Sequence, residues 1–192
     1  MYNEYYSSPT VTNCDFVGNS ATSGSGGGMY NNAYVSPAIH NNIIVGNTAL
    51  AGGGIWADGT CSPTIDHNDV WNNSPDDYSG CSAGPHDISH DPLFVNRAMG
   101  DYHLQSSSPC IDTGTDVGAP TEDIEGNPRP IDGHADGTAT TDMGAFEYVP
   151  LPSPVGGESY PVSKASLLAA WVAVAVAVVG AGVVLVLSRR RS

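Results

Sequence analysis

One ten-residue phrase recurs three times at nearly constant spacing, and this recurrence constrains the fold more than any single motif. MYNEYYSSPT at positions 1–10, MYNNAYVSPA at 29–38 and IWADGTCSPT at 55–64 align on Ser-Pro pairs, and their prolines, Pro9, Pro37 and Pro63, follow at almost equal intervals. Further columns follow. Val11, Ile39 and Ile65 share one, Phe16, Ile44 and Val70 another, and Asn19, Asn47 and Asn73 a third. Glycine triplets, Gly26-Gly27-Gly28 and Gly52-Gly53-Gly54, precede the second and third copies. Each copy holds only short β-prone pieces between Gly/Asn turns, too short to bury an apolar face alone. Stacked copies can do so, each making one coil of a parallel solenoid with neighbouring strands about 4.8 Å apart. A propeller blade needs about 40 or more residues, longer than the step from Pro9 to Pro37, and the Leu columns of a leucine-rich repeat are missing. The chain is therefore expected to be an all-β solenoid.

In such a stack identical columns lie on one another. Val11, Ile39 and Ile65 become an internal aliphatic ladder. Asn19, Asn47 and Asn73 are expected where the backbone bends, since Asn tolerates left-handed conformations and stacked amides hydrogen-bond along the ladder. The glycines allow corners where a Cβ would clash. Met1, Met29 and Ile55 form an apolar column and are assigned to the core. Strand alternation then places the adjacent column, Tyr2, Tyr30 and Trp56, outside, as a stripe for stacking on glycans.

The segments SSPTVTNCDFVGNSA, GGGMYNN and GGGIWADG resemble repeats of right-handed parallel β-helix proteins, including the polymorphic outer-membrane type. HDISHDPLFVNRAMGDYHLQSSSPCIDTG, followed by GNPRPIDG and DMGAFEY, resembles the C-terminal cap of cell-surface β-helix proteins of the choice-of-anchor group. The resemblance covers residues 1–149 and implies a right-handed β-helix with a cap and a surface location, without specifying an activity.

The organisation expected is β-helix coils over 1–74, incomplete at their N-terminal end, and a last coil with the C-terminal cap over 75–149. A Pro/Gly/Ser linker over 150–164, a transmembrane helix over 165–187 and a basic cytoplasmic tail over 188–192 follow. Strand candidates in the cap are 92–95, 102–105, 110–112 and 144–148. Leu93, Phe94, Leu104, Ile111 and Phe146 are expected to plug the open end of the solenoid. The stretch 165–187 is uncharged and long enough to cross a hydrocarbon core of about 30 Å. Arg189–Arg191 after it should stay cytoplasmic, which puts the preceding residues outside, at the cell surface. Val-Gly-Gly, the span and the Arg cluster also follow the layout of sorting tails, with retention as a single-pass anchor preferred. Residues 1–20 carry neither the basic nor the apolar region of an export signal. With the first copy lacking its glycine triplet, this predicts further coils upstream.

Ahead of Lys164 the chain has only Arg97 and Arg129 against all 20 acids, a net charge of about −18. Such a surface repels phosphate backbones, so nucleic acid is not an expected partner; the membrane, through 165–187, and polysaccharide are. Secreted β-helices of this kind include polysaccharide lyases, which use an Asp cluster for calcium and an Arg or Lys base. Asp66, Asp69, Asp76 and Asp77 cluster near the third coil, but the coils contain no Arg or Lys. The segment is therefore read as non-catalytic, adhesive, structural or glycan-binding. The alternative is the C-terminal part of a pectate-lyase-like lyase or glycoside hydrolase with its site in upstream coils.

No cofactor is expected, apart from a candidate structural calcium at Asp123, Glu125, Asp132 and Asp136. Arg129 pairing with one of these acids is the preferred reading. His40 and His67 fall in neighbouring columns without further zinc ligands in view, and are read as outward or turn residues. Cys61 and Cys81, in turn-like contexts about one coil apart, form a candidate disulfide if a corner joins them, since the alignment sets Cys81 against Ile55. Cys14 replaces the Asn of Asn42 and Asn68 and is read as a packed thiol.

Overall fold

The computed structural model describes residues 1–151, and within them the repeat becomes a parallel β-solenoid of about three turns. The first coil carries β1 (Tyr2–Asn3), β2 (Thr10–Thr12), β3 (Asp15–Val17) and β4 (Ser20–Ser25). The second carries β5 (Met29–Asn31), β6 (Ala38–His40), β7 (Ile43–Val45) and β8 (Thr48–Ala51). The third carries β9 (Ile55–Ala57), β10 (Thr64–Asp66) and β11 (Asp69–Trp71), and β12 (Tyr78–Ser79) follows. Like strands stack in parallel sheets ordered β1-β5-β9-β12, β2-β6-β10, β3-β7-β11 and β4-β8. The register sets Tyr2 on Tyr30 on Trp56, Val11 on Ile39 on Ile65, and Phe16 on Ile44 on Val70. The linker past residue 151, the span 165–187 and the tail 188–192 lie outside the described residues. Among the described residues no helix is long and apolar enough to cross a membrane.

The solenoid interior is one apolar cluster of Val11, Met29, Ile39, Ile44, Ile55, Ile65 and Val70. Fully burying one such side chain contributes about 1.5–3 kcal/mol. These residues come from short pieces far apart in sequence, so the stack, not any one strand, is the unit of stability. Close packing of coils needs glycine at one point in particular. A Cβ on Gly27 would lie 2.6 Å from the Gly53 carbonyl and 2.7 Å from that of Thr48.

Asparagine ladders line the corners. The Asn19 backbone N–H and Nδ2 donate to Asn47 Oδ1 at 2.8 and 3.0 Å, and those of Asn47 donate to Asn73 Oδ1 at 2.8 and 2.9 Å. A second ladder runs from the Cys14 N–H to Asn42 Oδ1 and from Asn42 to Asn68. Both finish on an aspartate, Asp77 for Asn73 and Asp87 for Asn68. A carboxylate fits the last rung because it accepts without needing an acceptor of its own. The left-handed bend lies one residue earlier than the sequence suggests. It falls at Gly18, Gly46 and Asn72, and at Asn13, Asn41 and His67. The laddered asparagines follow these corners, with their side chains turned inward to satisfy the backbone that the corner frees.

The repeat does not end at Asn73. Tyr78 pairs with Ile55 and Ile88 bridges Asp69, each nearer in sequence than the paired residues of the earlier coils. This abbreviated fourth coil lays Tyr78 and Cys81 against the interior cluster. Its register corrects the alignment of Cys81, since Tyr78 is the residue opposite Ile55.

Residues 92–149 do not plug the end of the solenoid as expected. Phe94, Leu104, Cys110, Ile111 and Met143 form a second cluster with Ile43 and Val45, which flank the inward Ile44 on β7. The expected plug residues Phe94, Leu104 and Ile111 therefore cover a flank. Leu93 is half-buried and Phe146 packs on His103, with ring centroids 4.3 Å apart. Only two of the four strand candidates form, as the antiparallel pair β13 (Phe94–Asn96) and β14 (Asp101–Leu104). Residues 110–112 and 144–148 are irregular, because their partners are side chains and corners rather than a strand edge. Asn13 and Asn41 tie this segment down. Asn13 Nδ2 donates to the Asp142 and Gly144 carbonyls, and Asn41 exchanges hydrogen bonds with Thr115.

Candidate functional site

Tyr2, Tyr30 and Trp56 lie on β1, β5 and β9, where alternation turns them away from the buried Met29 and Ile55. Parallel register puts one ring on each coil. Tyr2 and Tyr30 stack at 4.9 Å and 5°, Tyr30 and Trp56 at 4.6 Å and 10°. Tyr6 and Tyr34 make a second stack at 5.3 Å. Because ring faces are spent on one another, the column offers solvent its edges and polar tips, with Tyr2 66% exposed. Beside Tyr2 and Tyr30 runs a cleft of about 610 Å³ whose other lining includes Ala21, Ser23, Gly24 and Ser25 of β4. An aromatic wall over a floor of small residues and hydroxyls provides apolar contact and hydrogen bonding on one surface. Trp56 does not line this cleft.

A second cavity, of about 520 Å³, lies where residues 92–149 meet the first coil, lined in part by Asp15, Tyr102, Asp123, Arg129 and Phe146. Burial pushes the Asp15 carboxyl up to about 7, against a hydrogen bond from the Ala145 N–H and the charge of Arg129. Arg129 does not pair with Asp123, Glu125, Asp132 or Asp136, as the sequence reading preferred. Its guanidinium pairs at 3.2 Å with Glu147, both side chains almost wholly buried, and donates to the Asp142 and Gly144 carbonyls. Two of the acids considered for calcium accept backbone hydrogen bonds. Asp123 accepts from the backbone of Glu125, Asn127 and Glu147, and Asp132 from that of Asp136 and Gly137.

Asp69 is fully buried, with its carboxyl raised by burial to about 7, and Asp77 ends a ladder. Asp66, by contrast, meets two histidines. His67 Nδ1 lies 3.0 Å from its Oδ2 and His86 Nδ1 2.9 Å from its Oδ1. Sequence reasoning set His67 one column from His40 and counted Asp66 among the acids of the third coil, but missed His86 and the contact of both histidines with Asp66. The available signal was the shortened coil, since the step that carries Asn68 to Asp87 also carries His67 to His86. Cys61 and Cys81 are free thiols, as are Cys14 and Cys110. Cys81 Sγ faces the Ile55 carbonyl at 3.9 Å, and burial raises its thiol to about 11.

Comparison with known proteins agrees with this architecture. A family described as "Disaggregatase related" matches residues 32–121, from the second coil past β14, a little under half of the chain. The match and the parallel stack together fit a β-helix repeat protein. No curated protein and no solved structure matches the chain.

Proposed function

We propose that this is a right-handed β-helix protein of the cell surface that binds neutral glycans in the cleft beside Tyr2 and Tyr30, and that it acts by adhesion rather than catalysis. The single observation that carries the reading is the cleft itself, an outward aromatic wall repeated coil by coil over a Ser/Gly floor. The charge of about −18 ahead of Lys164 disfavours anionic polymers and leaves neutral ones. Retention at the membrane rests on the uncharged stretch 165–187 and the arginines behind it. The cap-like resemblance of residues 86–149 supports the same surface setting.

Affinity electrophoresis through gels containing neutral or acidic polysaccharides tests it. Tyr2→Ala and Tyr30→Ala should each weaken retardation by a neutral polymer, by roughly 10-fold for loss of about 1.4 kcal/mol of contact. Trp56→Ala should act more weakly, through the stack alone. Unchanged retardation in the Tyr2/Tyr30 double variant would remove the proposal.

A second reading, a polysaccharide-degrading enzyme, is favoured by the Asp15 cavity, because a carboxyl raised to about 7 suits a general acid. The family description, which refers to an enzyme, points the same way. Release of reducing ends or unsaturated products that Asp15→Asn abolishes would favour it over adhesion.

A further inference from the structure

The column Asn13, Asn41, His67 and His86 changes chemistry halfway along. Its first two members bind residues 92–149. The last two stack on each other, with ring centroids 4.5 Å apart, at the corner that follows β10. Asp66, the last residue of β10, contacts both. Its carboxylate and the imidazoles of His67 and His86 form the one group of metal-ligating side chains within 4.8 Å of each other found among the described residues. We infer that Asp66, His67 and His86 form a binding site for a divalent transition metal of the zinc type, clamping the third coil to the abbreviated fourth.

Three features carry this. The donor set, two imidazoles and one carboxylate, suits zinc and its neighbours rather than calcium, which takes six to eight oxygens. The spacing fits as well. Ligands about 2.0–2.1 Å from one ion stand about 2.9–3.4 Å from each other, and the carboxylate–imidazole distances here are 2.9 and 3.0 Å. Finally, His67 Nδ1 is closed to solvent and has no hydrogen-bond partner. It sits 3.0 Å from Asp66 Oδ2, but not at hydrogen-bonding geometry. A buried nitrogen without a partner is costly, and a metal ion satisfies it.

The fold preorganises the ligands. His67 is held in the left-handed region, φ 53°, by its corner. The His86 N–H donates to Asp66 Oδ1 at 3.1 Å, and its neighbour Asp87 is pinned by Asn68, Tyr78 and Gly84. The exposed side of His86, 62% accessible, leaves an entry path and room for water to complete the coordination. His103 provides a contrast, since both of its ring nitrogens are engaged, by Asp101 at 2.7 Å and Glu125 at 3.1 Å.

The test is calorimetric titration of the untagged chain with Zn²⁺, and with Ca²⁺ in parallel, backed by Co²⁺ absorption as a reporter of nitrogen ligation. The expected result is one equivalent of Zn²⁺ bound, no comparable Ca²⁺ binding, and affinity lowered by more than about 10-fold in both His86→Ala and Asp66→Asn. His134→Ala, which removes a different His–Asp contact, should bind as the parent does. Because His86 is mostly exposed, the unfolding midpoint of His86→Ala without metal should stay near that of the parent, whereas only the parent's should rise with Zn²⁺. Absence of Zn²⁺ binding, binding that survives His86→Ala, or equal affinity for Ca²⁺ would each overturn the inference.

Discussion

If a carboxylate is suited only to the last rung of an asparagine ladder, the same chemical exchange should have unequal costs at two positions. Asn47 is a middle rung with no solvent exposure. Its Oδ1 accepts two hydrogen bonds from Asn19, and its Nδ2 donates to the Phe16 carbonyl at 2.8 Å and to Asn73 Oδ1 at 2.9 Å. Asn47→Asp keeps the accepting oxygen but sets a second oxygen against those two acceptors. A proton taken up by the carboxyl could serve only one of them. Leaving a buried polar group unsatisfied costs about 1–3 kcal/mol, and two groups plus the burial of an acid give roughly 3–5 kcal/mol. At the last rung, Asp77 Oδ1 accepts from the Asn73 N–H at 2.9 Å and from its Nδ2 at 2.8 Å. Asp77→Asn keeps that oxygen and loses the assistance of its charge and a long, exposed contact from Ser89 Oγ at 3.5 Å, together about 1 kcal/mol or less. With a urea dependence of about 2 kcal/mol per molar, the unfolding midpoint should fall by about 2 M for Asn47→Asp and by less than about 0.5 M for Asp77→Asn. Tryptophan fluorescence and far-ultraviolet dichroism would follow both transitions. Equal shifts, or a larger one at Asp77, would refute the account of the ladder and its terminator.

Stability should also fall as pH rises from about 4 to 7. Asp69 and Asp142 have carboxyls raised mainly by burial to about 7, as does Asp15. The folded chain thus holds protons that the unfolded chain has released, and their stabilisation is complete below the unfolded value and lost on ascent through 7. Urea midpoints measured across this range should decline, and Asp69→Asn should flatten part of the slope; a rising trend would contradict the assignment. Arg129→Met strands Glu147 and should cost about 3–5 kcal/mol, with Glu147→Gln in the same chain recovering part of it in a double-mutant cycle. Additive losses from the two changes would show that the pair is not coupled.

The period, the parallel stacking, the outward aromatic column and the inward columns, apart from Met1, which is 45% exposed where Met29 and Ile55 are buried, could be read from the sequence, because a solenoid repeats its environment every coil. Columns such as Val11, Ile39 and Ile65 then report one position three times. That logic fails where the repeat changes length. The fourth coil is shorter, so Asp77 and Asp87 look like loop acids, whereas they terminate buried ladders. His86 likewise shows no link to His67 until the register brings it there. Residues 92–149 have no period at all. Their apolar residues announce a core, but not which one, and the flank of β7 became their partner because Ile43 and Val45 leave an apolar surface there. The same holds for Arg129, whose partner Glu147 was one acid among many until burial selected it. Local repetition determined the coils. Contacts between segments that share no period, and the desolvation that chooses among chemically equivalent side chains, were decided only by the tertiary structure.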